Sequence, residues 1–331
     1  MKAVRLDGHG GAEVLRIGEA GIPEPGPGQV LIRIAASSIN RPDIIQRQGH
    51  YPPPPGESEI PGLECAGTIE AVGPGVEYPT TGDPVLALLG GGGYAEYAVA
   101  HAAHTMPLPE SMSFAAAACI AETFITAWLN VFELGGLADG QKVLIHGASG
   151  GVGTAAVQLV RELCPGSIVF VTASASKHNR LLQLGADQAL DYRSGVFATV
   201  IREATNGTGV DVILDHIGGA NLDQNLRALA TGGRLVIIGI MGGADAQLNL
   251  GRLMVKRQQI IGSVLRPRSV AEKAAIVERF SERVLPLFAS GRIAPVIDSH
   301  FSLESVADAH QRMEAGEHFG KIVLDVNLQE T

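Results

Sequence analysis

The sequence predicts an α/β protein in which a doubly wound domain is inserted into a smaller, mostly β domain. Three observations carry that expectation. The chain has 331 residues, 46% of them hydrophobic and 18% charged, enough to fill about two ordinary domains. Its first 110 residues are broken by Pro and Gly at short intervals, as expected of short strands joined by turns. From about Phe124, apolar runs alternate with helical stretches, and apolar strands separated by helices build a parallel sheet covered on both faces.

The elements follow in order. Val30 to Ile34 and Val85 to Leu89 are short, mostly β-branched or aliphatic runs and read as strands of the first part. A helix through Trp128 and Phe132 opens the middle part. Strands are then expected at Lys142 to His146, Ile168 to Thr172, Val210 to Asp215, Arg234 to Gly239 and Ile260 to Val264. The tail returns to helix, with a short strand around Ile293 to Ile297, a helix near Leu303 to Ala315 and a final strand from Lys321 to Val326. The expected domains are 1–124, 125–265 and, rejoining the first, 266–331, with the cleft between them as the place for a substrate.

Several function classes are set aside by composition. Twenty-five basic against 34 acidic residues give a net charge of −9, with no basic run to track a phosphate backbone, so nucleic acid is not an expected partner. The one long uncharged stretch, Val143 to Val160, is interrupted by His146 and a glycine cluster, which makes a poor bilayer span. Three cysteines at wide spacing, no CxxC pair and no apolar leader imply a reduced, cytoplasmic protein.

The strongest local signal is the run from His146 to Gly153, between the strand Val143 to Ile145 and an alanine-rich helix. A glycine loop in that context aims backbone N–H groups and a helix N-terminus at a pyrophosphate. Set against GxGxxG, it reads Ala148-Ser149-Gly150-Gly151-Val152-Gly153, so alanine replaces the first glycine. Nucleotide forms that prefer NAD place a carboxylate about 20 residues on. Here the second strand leads instead into Ser174 and Lys177, hydroxyl and cation, and NADPH is the expected cofactor. The alternative for Lys177 is a solvated lysine at a helix start.

Four stretches together resemble the zinc-independent quinone oxidoreductases of the medium-chain dehydrogenase/reductase superfamily: Ser38 to Asp43, Gln46 to Pro54, Pro61 to Glu64, and His146 to Gly153. The likeness extends over nearly the whole chain and includes a branch with motifs like Gly239 to Gly243 and Leu265 to Arg268. It implies a GroES-like catalytic domain split around a Rossmann domain, a homodimer, and NADPH-dependent reduction of a quinone. It also implies that Lys177 and Tyr192, with Ser174 in the same turn, hold the 2′-phosphate; on its own, Tyr192 would pass as a half-buried tyrosine. Asn40, Asp43 and Tyr51 are implied to line the quinone side, with the Tyr51 hydroxyl a donor to the developing oxyanion and Asn40 an amide donor. For Asp43, a helix-start carboxylate after Pro42 is the favoured reading.

Thr126 and Gly239, Ile240 and Met241 are expected to border the nicotinamide, because ligands sit outside strand carboxyl ends. Arg266 reads equally as a cofactor contact or a surface arginine, and Gly90 to Gly93 as a mobile wall or a close-packed turn. Zinc-dependent relatives place ligands near Asn40 and Leu63, which supply neither thiolate nor imidazole, so no metal is expected. His101 and His104 read as surface histidines. Reduction of activated alkenes on the same fold, and NADPH binding without catalysis, are the competing functions.

Overall fold

The computed structural model describes residues 1–110 and 112–327. It divides into two compact units, Met1–Ile125 with Leu265–Thr331, and Thr126–Val264. Fifteen strands are present among the described residues. Those before the second unit are β1 (Lys2–Leu6), β2 (Leu15–Glu19), β3 (Gln29–Ile39), β4 (Glu64–Val72), β5 (Pro84–Leu88), β6 (Tyr97–His101) and β7 (Thr105–Pro107). The second unit holds β8 (Lys142–Ile145), β9 (Ile168–Ala173), β10 (Gln188–Asp191), β11 (Val210–Asp215), β12 (Leu229–Ile237) and β13 (Gln259–Gly262), and the chain closes with β14 (Ile297–Ser302) and β15 (Lys321–Asp325).

In the first unit, β1 and β2 form an antiparallel ribbon, and the main sheet runs β14-β15-β3-β4-β5-β7, with β6 also paired to β3. The alternation in β3 explains why it is central: Val30, Ile32 and Ile34 point into one apolar cluster with Cys65, Ile69, Val85 and Ala98, as side chains two apart on a strand share a face. Its far end contributes Ile39 to a second cluster with Ile44, Tyr94, Leu303, Val306 and Met313. The segment after Ile39 turns into the helix Arg41–Arg47, capped reciprocally by Asn40 and Asp43, with Pro42 in its first turn.

The second unit is one parallel sheet in the order β10-β9-β8-β11-β12-β13, the doubly wound arrangement whose chain reverses direction beside β8. Leu144, Phe170, Ile213 and Leu235 from four adjacent strands are buried under Phe197, Ile201 and Leu226 of the covering helices. The helical stretch through Trp128 continues from Leu129 to Leu134 as a π-helical turn.

Four expectations need correction. The tail strand lies at Ile297–Ser302, not Ile293 to Ile297, because Pro295 has no N–H to give a ladder. A strand that the apolar runs did not reveal, β10, adds Gln188–Asp191 at the sheet edge, where it is short and only Leu190 is buried. β12 starts at Leu229, ahead of two glycines at a register shift against β11. His104 is 3% exposed and its Nε2 lies 3.0 Å from the Val270 carbonyl oxygen, so it is a core histidine.

Candidate active site

Within the second unit, β8 delivers the chain to the glycine loop. Gly147 turns it with φ +51°, and a Cβ there would stand 2.0 Å from His216 Nε2. This glycine does the turning that the first position of the motif ordinarily does, which frees Ala148 to be a buried alanine whose N–H donates to the Thr172 carbonyl at 3.0 Å. The other two glycines are needed for different reasons. A Cβ on Gly153 would lie 2.4 Å from Ala148 Cα, so helix and loop pack backbone to backbone. On Gly150 a Cβ would meet only the Gly147 oxygen at 3.7 Å. That space, beside the N-terminus of the helix Gly151–Leu163, fits a pyrophosphate approached by the N–H groups of Gly151, Val152 and Gly153.

Beyond β9, Ser174 and Lys177 fall in one turn. Lys177 reaches back so that its Nζ is 3.4 Å from Ser149 Oγ, which places a cation at the edge of the glycine loop. Tyr192 follows β10, exposed, with the Arg193 guanidinium 5.5 Å from its ring centre. Past β12, the segment Gly239–Gly243 is strapped to the loop after β11: Met241 N–H donates to the His216 carbonyl, Gly242 N–H to Ile217, and Gly219 N–H to Gly243. Ile240 and Met241 are both exposed. Thr126 is half-buried and its carbonyl accepts from Asn130 Nδ2 at 2.7 Å.

The first unit gathers a separate set of polar groups, nearly all of them buried. Asp43 accepts from Asn40 N–H at 2.7 Å, Gly62 N–H at 3.2 Å and the Tyr94 hydroxyl at 2.8 Å. Burial still outweighs those donors and pushes its carboxyl up to about 6. Glu64, fully buried, accepts at one oxygen from Ser38 (2.7 Å), Asn40 Nδ2 (2.9 Å) and Lys321 Nζ (2.9 Å), and at the other from Glu122 N–H (2.8 Å). Lys321 also donates to Asn40 Oδ1 at 2.6 Å and the Ile39 carbonyl at 3.0 Å, fixing which way the Asn40 amide points. Tyr51 is half-buried, with the Arg266 guanidinium 5.2 Å from its ring centre. Its hydroxyl is pushed up to about 12, first by burial and then by the Glu122 charge, so it stays a proton donor at neutral pH.

Arg266 is not a surface residue. It is 4% exposed and donates to the carbonyls of Gly90 (2.8 Å) and Tyr51 (3.2 Å) and to Gln46 Oε1 (2.8 Å). The run Gly90 to Gly93, whose first carbonyl it meets, forms a close-packed turn: a Cβ on Gly91 would lie 2.3 Å from the Ser58 oxygen, and one on Gly93 2.9 Å from the Glu64 oxygen.

Comparison with known proteins meets this geometry from both ends of the chain. The family described as alcohol dehydrogenase GroES-like domain matches residues 26–110, and that described as zinc-binding dehydrogenase matches 184–324. A quinone oxidoreductase from Lama guanicoe is 35% identical over 98% of this chain and 97% of its own. The chain belongs to the medium-chain dehydrogenase/reductase superfamily, in its zinc-independent, quinone oxidoreductase-like branch. Other members of that superfamily are as near. The human synaptic vesicle membrane protein VAT-1 homolog is 33% identical over 98% of this chain and 86% of its own. Among solved structures, Escherichia coli quinone oxidoreductase complexed with NADPH superposes with a TM-score of 0.88 at 28% identity, over 98% of this chain and 100% of the other. The CurK enoyl reductase gives 0.87 at 29%, over 98% and 99%.

Zinc, named in one matched family's description, does not suit this chain's donors. Asn40 and Leu63 offer neither thiolate nor imidazole, and the Asn40 and Glu64 oxygens already hold the Lys321 ammonium. Among the described residues, no group of three or more His, Cys, Asp or Glu is placed to hold a metal. No described helix is long and apolar enough to cross a membrane.

Asn40 and Asp43 are thus brought together, Tyr51 is brought to Arg266, and Ser149 to Lys177. Sequence reasoning missed the parts played by Glu64, Lys321, Glu122 and Tyr94. Lys321, a lone cation heading the apolar run Ile322 to Leu324, was the one available signal, since such a lysine needs a buried partner.

Proposed function

We propose that this oxidoreductase is an NADPH-dependent quinone reductase, cytoplasmic and homodimeric. The observation that carries the cofactor reading is Lys177: its Nζ stands beside Ser149 of the glycine loop, where an NAD-preferring fold keeps an acid. A charge-assisted hydrogen bond from that ammonium to a 2′-phosphate is worth roughly 1.5 to 3 kcal/mol, about ten- to a hundredfold in affinity. Ser174 and the exposed Tyr192 complete the 2′-phosphate grip, and Thr126 with Gly239 to Met241 borders the nicotinamide. Bound NADPH supplies a hydride. The chain's own task is to position the acceptor and meet the negative charge that develops on its oxygen. Tyr51 is the hydroxyl donor for that oxyanion, and Asn40, held by Lys321 and Glu64, orients the acceptor. Asp43 acts on the fold, capping the helix that follows Asn40.

The relatives support a quinone as acceptor, while the likeness to an enoyl reductase supports activated alkenes as a second reading. Steady-state kinetics decide between them. A specificity constant for 1,2-naphthoquinone or 9,10-phenanthrenequinone well above that for 2-alkenals is expected; the reverse order makes the protein an alkene reductase, and no NADPH oxidation with either class leaves it a binding protein.

A further inference from the structure

Four arginine or lysine side chains are buried among the described residues, and all four belong to the first unit: Arg47, Arg266, Lys273 and Lys321. Three of them meet a carboxylate. Arg47 Nη2 stands 2.6 Å from Glu314 Oε1, Lys273 Nζ 3.6 Å from Glu57 Oε1 and Lys321 Nζ 2.9 Å from Glu64 Oε1. Arg266 differs. Its three nitrogens donate to the Gly90 and Tyr51 carbonyls and the Gln46 amide oxygen, all neutral, while Asp43, Glu122 and Glu57 reach it through their charges alone. A buried cation without a touching counter-ion is costly, and a neutral amide could tie a carbonyl without that cost. That cost points to a use for the charge, and the group set against it is the Tyr51 ring, whose centre lies 5.2 Å from the guanidinium carbon.

The same guanidinium has a second hold on this residue. Tyr51 is followed by Pro52, Pro53 and Pro54, which contribute no N–H to anchor the loop; an anchor comes from the Tyr51 carbonyl, which accepts from Arg266 Nη1 at 3.2 Å. The fork is itself fixed from behind. Gln46 Nε2 donates to the Glu59 carbonyl at 3.0 Å, which turns Gln46 Oε1 toward Arg266, and Lys273 Nζ donates to the Arg266 carbonyl at 3.4 Å. One side chain thus holds both the backbone and the ring of Tyr51.

We propose that Arg266 is the positioning residue of the proton donor, holding Tyr51 in one place and favouring the phenolate that Tyr51 becomes as it gives up its proton. The inference rests on the reductase reading above. When a quinone takes a hydride from NADPH it becomes a hydroquinone monoanion. The Tyr51 O–H bond breaks as its proton bonds to that oxyanion, and the phenolate left behind takes a proton from water. One NADPH, one quinone and one proton thus yield NADP⁺ and hydroquinone. A cation against the ring attracts the phenolate more than the neutral phenol, so its help is greatest as charge passes to the tyrosine.

The test is a double-mutant cycle with NADPH and 9,10-phenanthrenequinone. Arg266→Ala should lower kcat about 10- to 100-fold, keep NADPH affinity near wild type by calorimetry, and slow a Tyr51→Phe enzyme little further. Guanidinium below denaturing concentration should restore turnover to Arg266→Ala but not to the double variant. Urea, planar, similar in size and uncharged, should restore neither. Arg266→Lys keeps the charge and loses the fork; it should fall between, and the same cycle is read with it where the alanine variant does not fold. Independently of turnover, the five tyrosines can be followed by fluorine NMR of protein carrying 3-fluorotyrosine. The signal absent from Tyr51→Phe should shift or broaden in both Arg266 variants. An Arg266 substitution that slows both backgrounds equally overturns the role, as does loss of NADPH affinity in place of turnover, or an unmoved Tyr51 signal. A wild type inactive with both quinones and alkenals overturns the reductase reading and the proton-donor half of the proposal with it, while the fluorine signal tests the anchoring by itself.

Discussion

Lys177 and Lys321 are two lysines with opposite fates, and each makes a prediction. Lys177 is half-buried, and its Nζ lies 3.4 Å from Ser149 Oγ, which sets its ammonium at the edge of the glycine loop. Lys177→Ala should weaken NADPH binding by about ten- to a hundredfold and leave NADH nearly unchanged, read by calorimetry with each coenzyme. Equal losses for both would remove the 2′-phosphate from the account. Lys321 is 3% exposed and fully engaged with Glu64, Asn40 and Ile39. Lys321→Met strands the Glu64 charge in the core, and loss of one partner of a buried pair costs roughly 3–5 kcal/mol. Denaturant unfolding should show that loss, and Lys321→Met with Glu64→Gln should recover much of it; a double variant no more stable than the single one would mean the ion pair is not the cause. The first lysine was legible because it follows a strand by a few residues. The second was not, since its partners lie 257 and 281 positions away, and only the pairing of β15 with β3 brings them together.

At the level of elements, the strand, loop and helix around residues 142–163 are the part of the site most legible in sequence, because each glycine there answers a local steric demand. Two of those demands can be separated. Gly153→Ala sets a methyl 2.4 Å from Ala148 Cα, so the loop must move, at about 1–3 kcal/mol as in other overpacked cores. Gly150→Ala puts its methyl in open space at φ −83°, where any residue is comfortable. Its thermal midpoint should stay near wild type while its NADPH affinity falls, because the methyl takes the space left for the pyrophosphate. If both variants lower the melting temperature alike, Gly150 serves folding and not ligand approach. Where elements depend on tertiary pairing the sequence was mute. β10 and β14 carry mixed polar and apolar residues, half-buried against one neighbour, and neither makes the continuous apolar run that identifies the inner strands.

For the molecule as a whole, pH and association are the remaining tests. His146 is fully buried; Asn225 Nδ2 donates to Asp215, which turns Asn225 Oδ1 toward His146 Nε2 at 2.7 Å and makes Nε2 the protonated nitrogen, leaving Nδ1 to accept from Thr172. Burial lowers its proton affinity to about 4. Below pH 6.5 the unfolded imidazole therefore takes up a proton that the folded one refuses, and stability drains away as pH falls toward 4. His146→Gln carries no such charge, so its deficit against wild type should shrink by roughly 2–3 kcal/mol between pH 7.5 and 4.5; a constant deficit would show that the histidine is not neutral in the fold. Association is argued from β13, the outer strand of the parallel sheet. One side of it is unpaired among the described residues, and exposed Ile260, Val264, Leu250 and Met254 lie on or near it in the chain. An open, apolar edge of this kind is stable in water when covered, and a second copy can cover it by the same edge about a two-fold axis. Sedimentation at micromolar concentration should give a dimer, and Ile260→Glu should shift it toward monomer without altering the far-ultraviolet circular dichroism. A wild type that sediments as a monomer would rule this pairing out.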